Sequence, residues 1–281
     1  MIENPHVAAL GAVFLPQLPP ERLRSVALAA EEAGLEELWL WEDCFRESGI
    51  ATAAAALAWT TRLRVGIGLL PVPLRNVALT AMEAATLARM FPDRLVLGVG
   101  HGVQGWMAQV GARVESPLTL LSEYVTALRA LLRGERVTVS GRYVRLDSVA
   151  LDWPPLSPPP VLAGGERPRT LALAAEVADG VILTGGVPPE RVAEFATRVV
   201  VNVHAATGPD AADRLERERE RWGYPSMEGL AVSGDAAAVA EGVRRWVDAG
   251  ADSVVLQPTP DDPDPEGFVR FVATEVRPLI P

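Results

Sequence analysis

Three short segments of this sequence combine proton-carrying side chains with backbone able to approach a ligand closely. Residues Trp39-Leu40-Trp41-Glu42-Asp43-Cys44-Phe45 set two carboxyl groups and the single thiol of the chain among aromatic rings. Burial beside aromatics disfavours a carboxylate's charged form and lifts its pKa toward the range useful for general acid or base work. Glu42 and Asp43 are therefore acid/base candidates. Cys44 is a candidate reactive thiol, set against the commoner role of a lone cysteine as a small buried hydrophobe.

The other two segments are rich in glycine: Gly98-Val99-Gly100-His101-Gly102-Val103-Gln104-Gly105-Trp106 and Leu162-Ala163-Gly164-Gly165-Glu166-Arg167-Pro168-Arg169. Exposed backbone N–H groups at such turns and helix starts make a site for phosphate or another anion. Arg167 and Arg169 stand ready to assist. The plain alternative is that the glycines only permit tight turns. His101 is open to three roles: capping a turn, binding phosphate or donating a proton. His6 and His204 read as structural.

Composition removes many chemistries. The 281 residues contain 26 basic side chains, all arginine, because the sequence has no lysine. Schiff-base aldolases, pyridoxal phosphate enzymes and Walker-A nucleotidases each need a lysine amine. One cysteine excludes internal disulfides and thiolate-cage zinc, and three scattered histidines suggest no metal site. A net charge of −10 argues against a nucleic-acid partner. No apolar run reaches membrane-spanning length and residues 1–10 do not resemble a signal peptide, so a cytoplasmic enzyme is expected.

The elements that position these segments follow one pattern, an apolar run, a Gly/Pro turn and then an Ala/Leu-rich amphipathic stretch. Eight apolar runs read as strands: 12–15, 37–41, 63–70, 94–99, 160–163, 180–184, 199–205 and 253–256. They are short and almost continuously apolar, as strands buried on both faces of a parallel sheet are. Helices are expected over 20–33, 50–60, 77–90, 118–132, 169–177, 189–198, 210–222, 236–249 and 267–276. Residues 216–221, Glu-Arg-Glu-Arg-Glu-Arg, read as a solvated helix face. The fold class is α/β, a (β/α)8 TIM barrel spanning residues 1–281 as a single domain, with an open doubly wound sheet as the alternative. An insertion at about 136–159 comprises a small β-hairpin after the fourth helix and a proline-rich approach to the fifth strand. Active sites of such barrels lie at the carboxyl ends of the strands, where the three segments fall.

Trp41-Glu42-Asp43, Arg62 to Gly68 with Arg75-Asn76, Phe91 to Gly102, Pro160 to Gly165 and Ala178-Asp179-Gly180, in that order, resemble the bacterial-luciferase-like flavin-dependent oxidoreductases. The branch most similar contains F420-dependent dehydrogenases and methylenetetrahydromethanopterin reductase. The resemblance runs from about Leu10 to Leu256. It implies a flavin or deazaflavin ring against the end of the third strand, at Gly68, Leu69 and Leu70, where a non-prolyl cis peptide bulge matches the Gly68–Leu69 bond. It also implies cofactor phosphate loops at Gly100, His101, Gly102, Val103 and Gln104 and at Ala163, Gly164, Gly165 and Glu166. Asp43 and Cys44 match positions near the reactive centre, where deazaflavin relatives often carry an acid and a histidine; Cys44 replaces the histidine here.

Two cofactors are consistent with this resemblance: F420, giving hydride transfer to or from a small organic substrate, or reduced FMN with oxygen, giving monooxygenation supplied by a flavin reductase. Homodimerisation is expected by analogy alone. Competing readings are a barrel lyase or hydrolase using Glu42 and Asp43, and a non-catalytic flavin-binding protein.

Overall fold

The computed structural model describes residues 7–280; residues 1–6, with His6 among them, and Pro281 lie outside the described residues. The strands are β1 (Ala9–Phe14), β2 (Glu37–Leu40), β3 (Arg64–Pro71), β4 (Leu95–Gly100), β5 (Val137–Ser140), β6 (Arg145–Val149), β7 (Val161–Gly164), β8 (Gly180–Leu183), β9 (Arg198–Ala206), β10 (Ala231–Ser233) and β11 (Ser253–Gln257). The helices are α1 (Leu23–Ala33), α2 (Gly49–Trp59), α3 (Val77–Met90), α4 (Gln104–Gln109), α5 (Pro117–Leu132), α6 (Pro168–Val177), α7 (Ala211–Trp222), α8 (Ala236–Asp248) and α9 (Pro265–Phe271).

Packing divides the chain into two compact units. The first holds the chain up to Trp39, Ala58–Leu63 and everything from Leu183; the second holds Leu40–Leu57 and Arg64–Ile182. In the first, the strands run in the order β10, β9, β11, β1, β2, and in the second β3, β4, β7, β8. β1, β9, β10 and β11 pair in parallel, as do β3, β4, β7 and β8. Every residue of β2, β4, β7, β8 and β11 is buried. That is the signature of parallel strands covered on both faces, and the fold class is the expected (β/α)8 barrel.

Local chemistry explains the helix ends. α1 buries Leu23, Val26, Ala27 and Ala30, an i, i+3, i+4, i+7 stripe, and stops at Gly34 with φ 79°, whose N–H turns back to the last carbonyls. The Asn76 side chain accepts the Ala78 N–H at 2.9 Å and starts α3; Asp235 does the same for α8 through Ala238. β5 and β6 pair antiparallel, and the Glu123 carboxylate of α5 accepts backbone N–H bonds from Arg142, Tyr143 and Val144 at 2.8, 2.9 and 2.9 Å. Burial opposes its charge, yet these bonds win and hold the Glu123 carboxyl below its usual range.

Four elements differ from the sequence expectation. The helix expected over 189–198 is a 3-10 turn, Pro189–Glu194, and Arg198 already opens β9; the β-branched run that follows favours strand over helix. β10 was not expected and pairs beside β9, Ala231 against His204. α4 begins at Gln104, inside a segment read as loop. The final helix starts at Pro265, capped by Asp264 accepting the Gly267 N–H at 2.8 Å, and widens into a π turn over Val272–Val276. The face of α7 is less solvated than its charge run suggests: Glu218 is buried and accepts the Trp222 indole N–H at 2.9 Å.

On β9, His204 is 1% exposed, and neither ring nitrogen has a hydrogen-bond partner among the described residues. Burial, reinforced by Arg221, lowers its pKa from 6.5 to about 4. The folded state therefore disfavours the proton that the unfolded chain accepts, so the stability of neutral His204 is complete above pH 6.5 and declines as pH falls toward 4. Between pH 7 and pH 5 the protein should lose about 2 kcal/mol through this group. Urea unfolding of wild type and His204→Phe at the two pH values checks it: the variant should lack that increment.

Candidate active site

The sequence-expected site residues lie in the second unit, and the third strand sets their arrangement. β3 and β4 pair from Val65 with Leu95 to Ile67 with Leu97, then the register shifts so that Leu70 faces Val99. The Gly68–Leu69 peptide in between is cis, as the family resemblance implies, and so is Cys44–Phe45, which the sequence did not signal. A Cβ added at Gly98 would lie 3.1 Å from Leu69 Cδ2 and would run into the Ile67 carbonyl; one added at Gly100 would lie 2.9 Å from Leu69 Cδ1. The bulge thus lays the Leu69 side chain across a face of β4 that only glycine leaves open.

The two glycine loops meet at His101. Its Nδ1 lies 2.9 Å from the Gly102 carbonyl oxygen, which accepts only, so Nδ1 carries the proton and Nε2 accepts a long bond of 3.4 Å from the Thr170 hydroxyl. Thr170 belongs to the first turn of α6, and a Cβ at Gly165 would lie 2.9 Å from its methyl group and 3.7 Å from His101 Nε2. Gln104 Nε2 donates to the carbonyls of His101 and Gly102 at 3.1 and 3.2 Å, so this side chain braces its own loop. Val103, Glu166, Arg167 and Arg169 are exposed. Gly164 has a packing reason of its own: a Cβ there would stand 2.6 Å from the Ile182 carbonyl oxygen, so valine at this position tests folding rather than binding.

The two carboxyl groups of the 39–45 segment are treated differently. Buried Glu42 takes both terminal nitrogens of Arg75, one at 2.7 Å, and accepts the Gly49 N–H at 2.7 Å. Burial works against the Arg75 charge, but the Glu42 carboxylate prevails and raises the guanidinium pKa. Arg75 also approaches Glu83 at 3.7 Å, and burial raises the Glu83 carboxyl above its ordinary value. Glu42 therefore ties the end of β2 to the start of α2 and to the segment after β3. It closes a loop that holds Asp43, Cys44, Phe45, Arg46 and Glu47.

Within that loop Asp43 and Cys44 are half-buried. Burial first, then the neighbouring charges of Glu42 and Asp43, raise the Cys44 pKa. The group is a thiol at neutral pH, without thiolate reactivity. Glu47, which sequence reasoning passed over, is a half-buried carboxyl raised by burial and by Asp43. The indole N–H of Trp41 is buried without a partner among the described residues. Thr170 and Glu83 were also missed; nothing in their local sequence marks them, because their partners are 69 and 8 residues away. Asn76 caps α3. Among the described residues no three metal-ligating side chains cluster, and no helix is long and apolar enough to cross a membrane.

Residues 6–214 match the family model of luciferase-like monooxygenases. The chain belongs to that family and is an oxidoreductase-type enzyme. It is 28% identical over 254 residues to a 5,10-methylenetetrahydromethanopterin reductase of Methanolobus tindarius, covering 90% of this chain and 75% of the relative. It is 33% identical over 186 residues to an F420-dependent glucose-6-phosphate dehydrogenase of Nakamurella multipartita, covering 62% of this chain and 55% of the relative. Its fold also matches the FMN-complexed oxygenating constituent of 3,6-diketocamphane monooxygenase from Pseudomonas putida, with a TM-score of 0.77, 17% identity, and 98% and 99% of the two chains covered. Of these three, the second carries F420 in its name and the third was solved with FMN.

Removing Arg75 leaves the buried Glu42 charge uncompensated, a loss on the order of 3 kcal/mol. Arg75→Ala should lower the melting temperature and raise the reaction rate of Cys44, the sole thiol, with a disulfide reagent by tenfold or more. Glu42→Gln should share the faster thiol reaction. An unchanged rate in both would show that the loop does not depend on this pair.

Proposed function

We propose that this protein is an oxidoreductase that transfers hydride between F420 and a small organic substrate. The observation that carries the reading is the bulge at Gly68–Leu69 facing two glycine loops that converge on His101. The backbone there fits a flat ring and its phosphate tail. Gly98 and Gly100 keep β4 clear of side chains beside Leu69, and the buried Trp41 indole N–H offers a donor without an internal partner. F420 supplies two-electron hydride chemistry when bound. Gly68, Leu69 and Leu70 would support the ring. Backbone of Gly100, Gly102 and Val103, together with Ala163, Gly164, Gly165 and Glu166, would line the phosphate path, with Gln104 bracing the first loop.

Asp43 is the proton-handling residue in this reading. It stands half-buried in the loop that Glu42 closes, beside a Glu47 carboxyl lifted by burial. Glu42, held by Arg75 and Gly49, positions that loop and moves no proton. His101 keeps its Nδ1 proton on the Gly102 carbonyl and orders the phosphate loops. Cys44 contributes volume.

Cys44 also favours a second reading, an FMN-dependent monooxygenase with a flavin reductase as supplier of reduced cofactor. A raised thiol pKa gives no substitute for the histidine that the family resemblance leads one to expect there.

Fluorescence titration of the apoprotein with F420 and FMN in parallel separates the two. Tight F420 binding with weak FMN binding is expected; the reverse would establish the monooxygenase reading. Asp43→Asn should reduce turnover about 100-fold while leaving cofactor affinity almost unchanged. Full activity in that variant would remove Asp43 from the chemistry.

A further inference from the structure

The second unit carries a helical face almost without charge. α2 has no charged residue among its eleven, although 22% of the chain is charged. A surface helix ordinarily turns charged or polar side chains to water, and one that is apolar all round is ordinarily covered. The one hydroxyl of α2, on Thr52, is buried and donates back to the Ser48 carbonyl at 2.8 Å. Ala51 is exposed and Ala54 and Ala55 are half-buried, so on that side α2 offers a flat strip of methyl groups.

α3 lies beside it. Both helix starts are fastened to Glu42, α2 through the Gly49 N–H and α3 through Arg75 just ahead of it. At the other end the Leu57 carbonyl accepts from Arg94, just beyond α3, at 3.3 Å. Along one stripe α3 raises large side chains: Leu79, Met82 and Met90, at i, i+3 and i+11, are 46%, 58% and 63% exposed. The two charges of this helix are engaged elsewhere. Glu83 lies 3.7 Å from Arg75 Nε, while Arg89 donates to the Pro154 carbonyl at 2.9 Å and sits 5.2 Å over the Trp153 ring. Contiguous apolar surface of this kind marks an interaction site.

We propose that this α2–α3 face is where a second copy of the chain docks. Two properties select that occupant. Each copy carries a net charge of −10, so two copies meet with least repulsion where neither presents charge. The face is also its own complement. A two-fold axis sets the Leu79 and Met82 ridge of one copy against the alanine strip of the other, and the reverse contact follows by symmetry. Helices that lie on a membrane surface carry rows of basic residues, whereas α2 has none and α3 has only the engaged Arg89.

Sedimentation velocity across the micromolar range tests this. Wild type should run at the mass of two chains. Met82→Glu and Leu79→Glu alter exposed positions, so both should fold, which far-UV circular dichroism checks. Each should weaken association on the order of 100-fold, because two-fold symmetry brings a like pair of charges into the contact. Should either fail the folding check, the near-isosteric Met82→Gln is read in its place and should weaken association as well. Leu156→Glu, on the proline-rich segment where that side chain is 96% exposed, should leave the two-chain mass unchanged. A wild type that runs as one chain throughout overturns the proposal, and its capture by phosphatidylcholine–phosphatidylglycerol vesicles would give the face to a membrane instead. A two-chain mass that survives the α3 variants also overturns it, by placing the contact elsewhere.

Discussion

The candidate site depends on one steric fact: β4 has no side chains at positions 98 and 100. A Cβ at Gly98 would strike the backbone carbonyl of Ile67 on β3, which cannot yield cheaply, and would also meet the Ile182 Cδ1 at 2.5 Å. With that face bare, β3 can turn through its Gly68–Leu69 bulge and lay Leu69 over β4, and the register resumes with Leu70 against Val99. The same closeness brings Gly100 within reach of the Gly164 carbonyl, 3.3 Å from where its Cβ would stand, so the glycine loops after β4 and β7 emerge side by side. The bare glycine backbone of β4 is therefore what makes room for the Leu69 side chain.

Electrostatics then fixes the loop that follows β2. Glu42 is buried, but a bidentate guanidinium and a backbone N–H satisfy it. The planar fork of arginine suits this geometry, whereas an ammonium would meet the carboxylate at one point. A chain without lysine has only that option for its buried pairs, and Arg214, which is 2% exposed against Asp262 at 2.8 Å, shows the same solution in the other unit. Two adjacent carboxyl groups thus divide into separate roles: Glu42 is consumed by the scaffold, and Asp43 is left half-buried within the loop that Glu42 closes.

Much of this was legible in the sequence because it is written in local signals. The eight apolar runs and the 77–90 helix are short-range patterns, and each appears in the structure within a few residues. The ordered family motifs carried the cis bond at Gly68, which no propensity would indicate. What stayed hidden was long-range or cooperative. Thr170 meets His101 across 69 residues, and Arg75 meets Glu42 across 33. Residues 189–198 have helical composition, but the β-branched run after them pairs as a strand from Val200 to His204, and Arg198 is drawn into β9.

Glu42 and His204 show two opposite uses of burial. The carboxylate has every strong partner it needs inside the protein, so removing it should disturb structure before chemistry. The imidazole has none, although its buried rung sits among aromatic rings where an apolar residue would pack without penalty. A polar group satisfied internally describes how a fold holds itself, whereas one left unsatisfied carries a cost that the rest of the fold must offset. Gly185 packs closely enough on that ring that a Cβ there would lie 2.6 Å from Nε2, so a side chain at this position would collide with the imidazole.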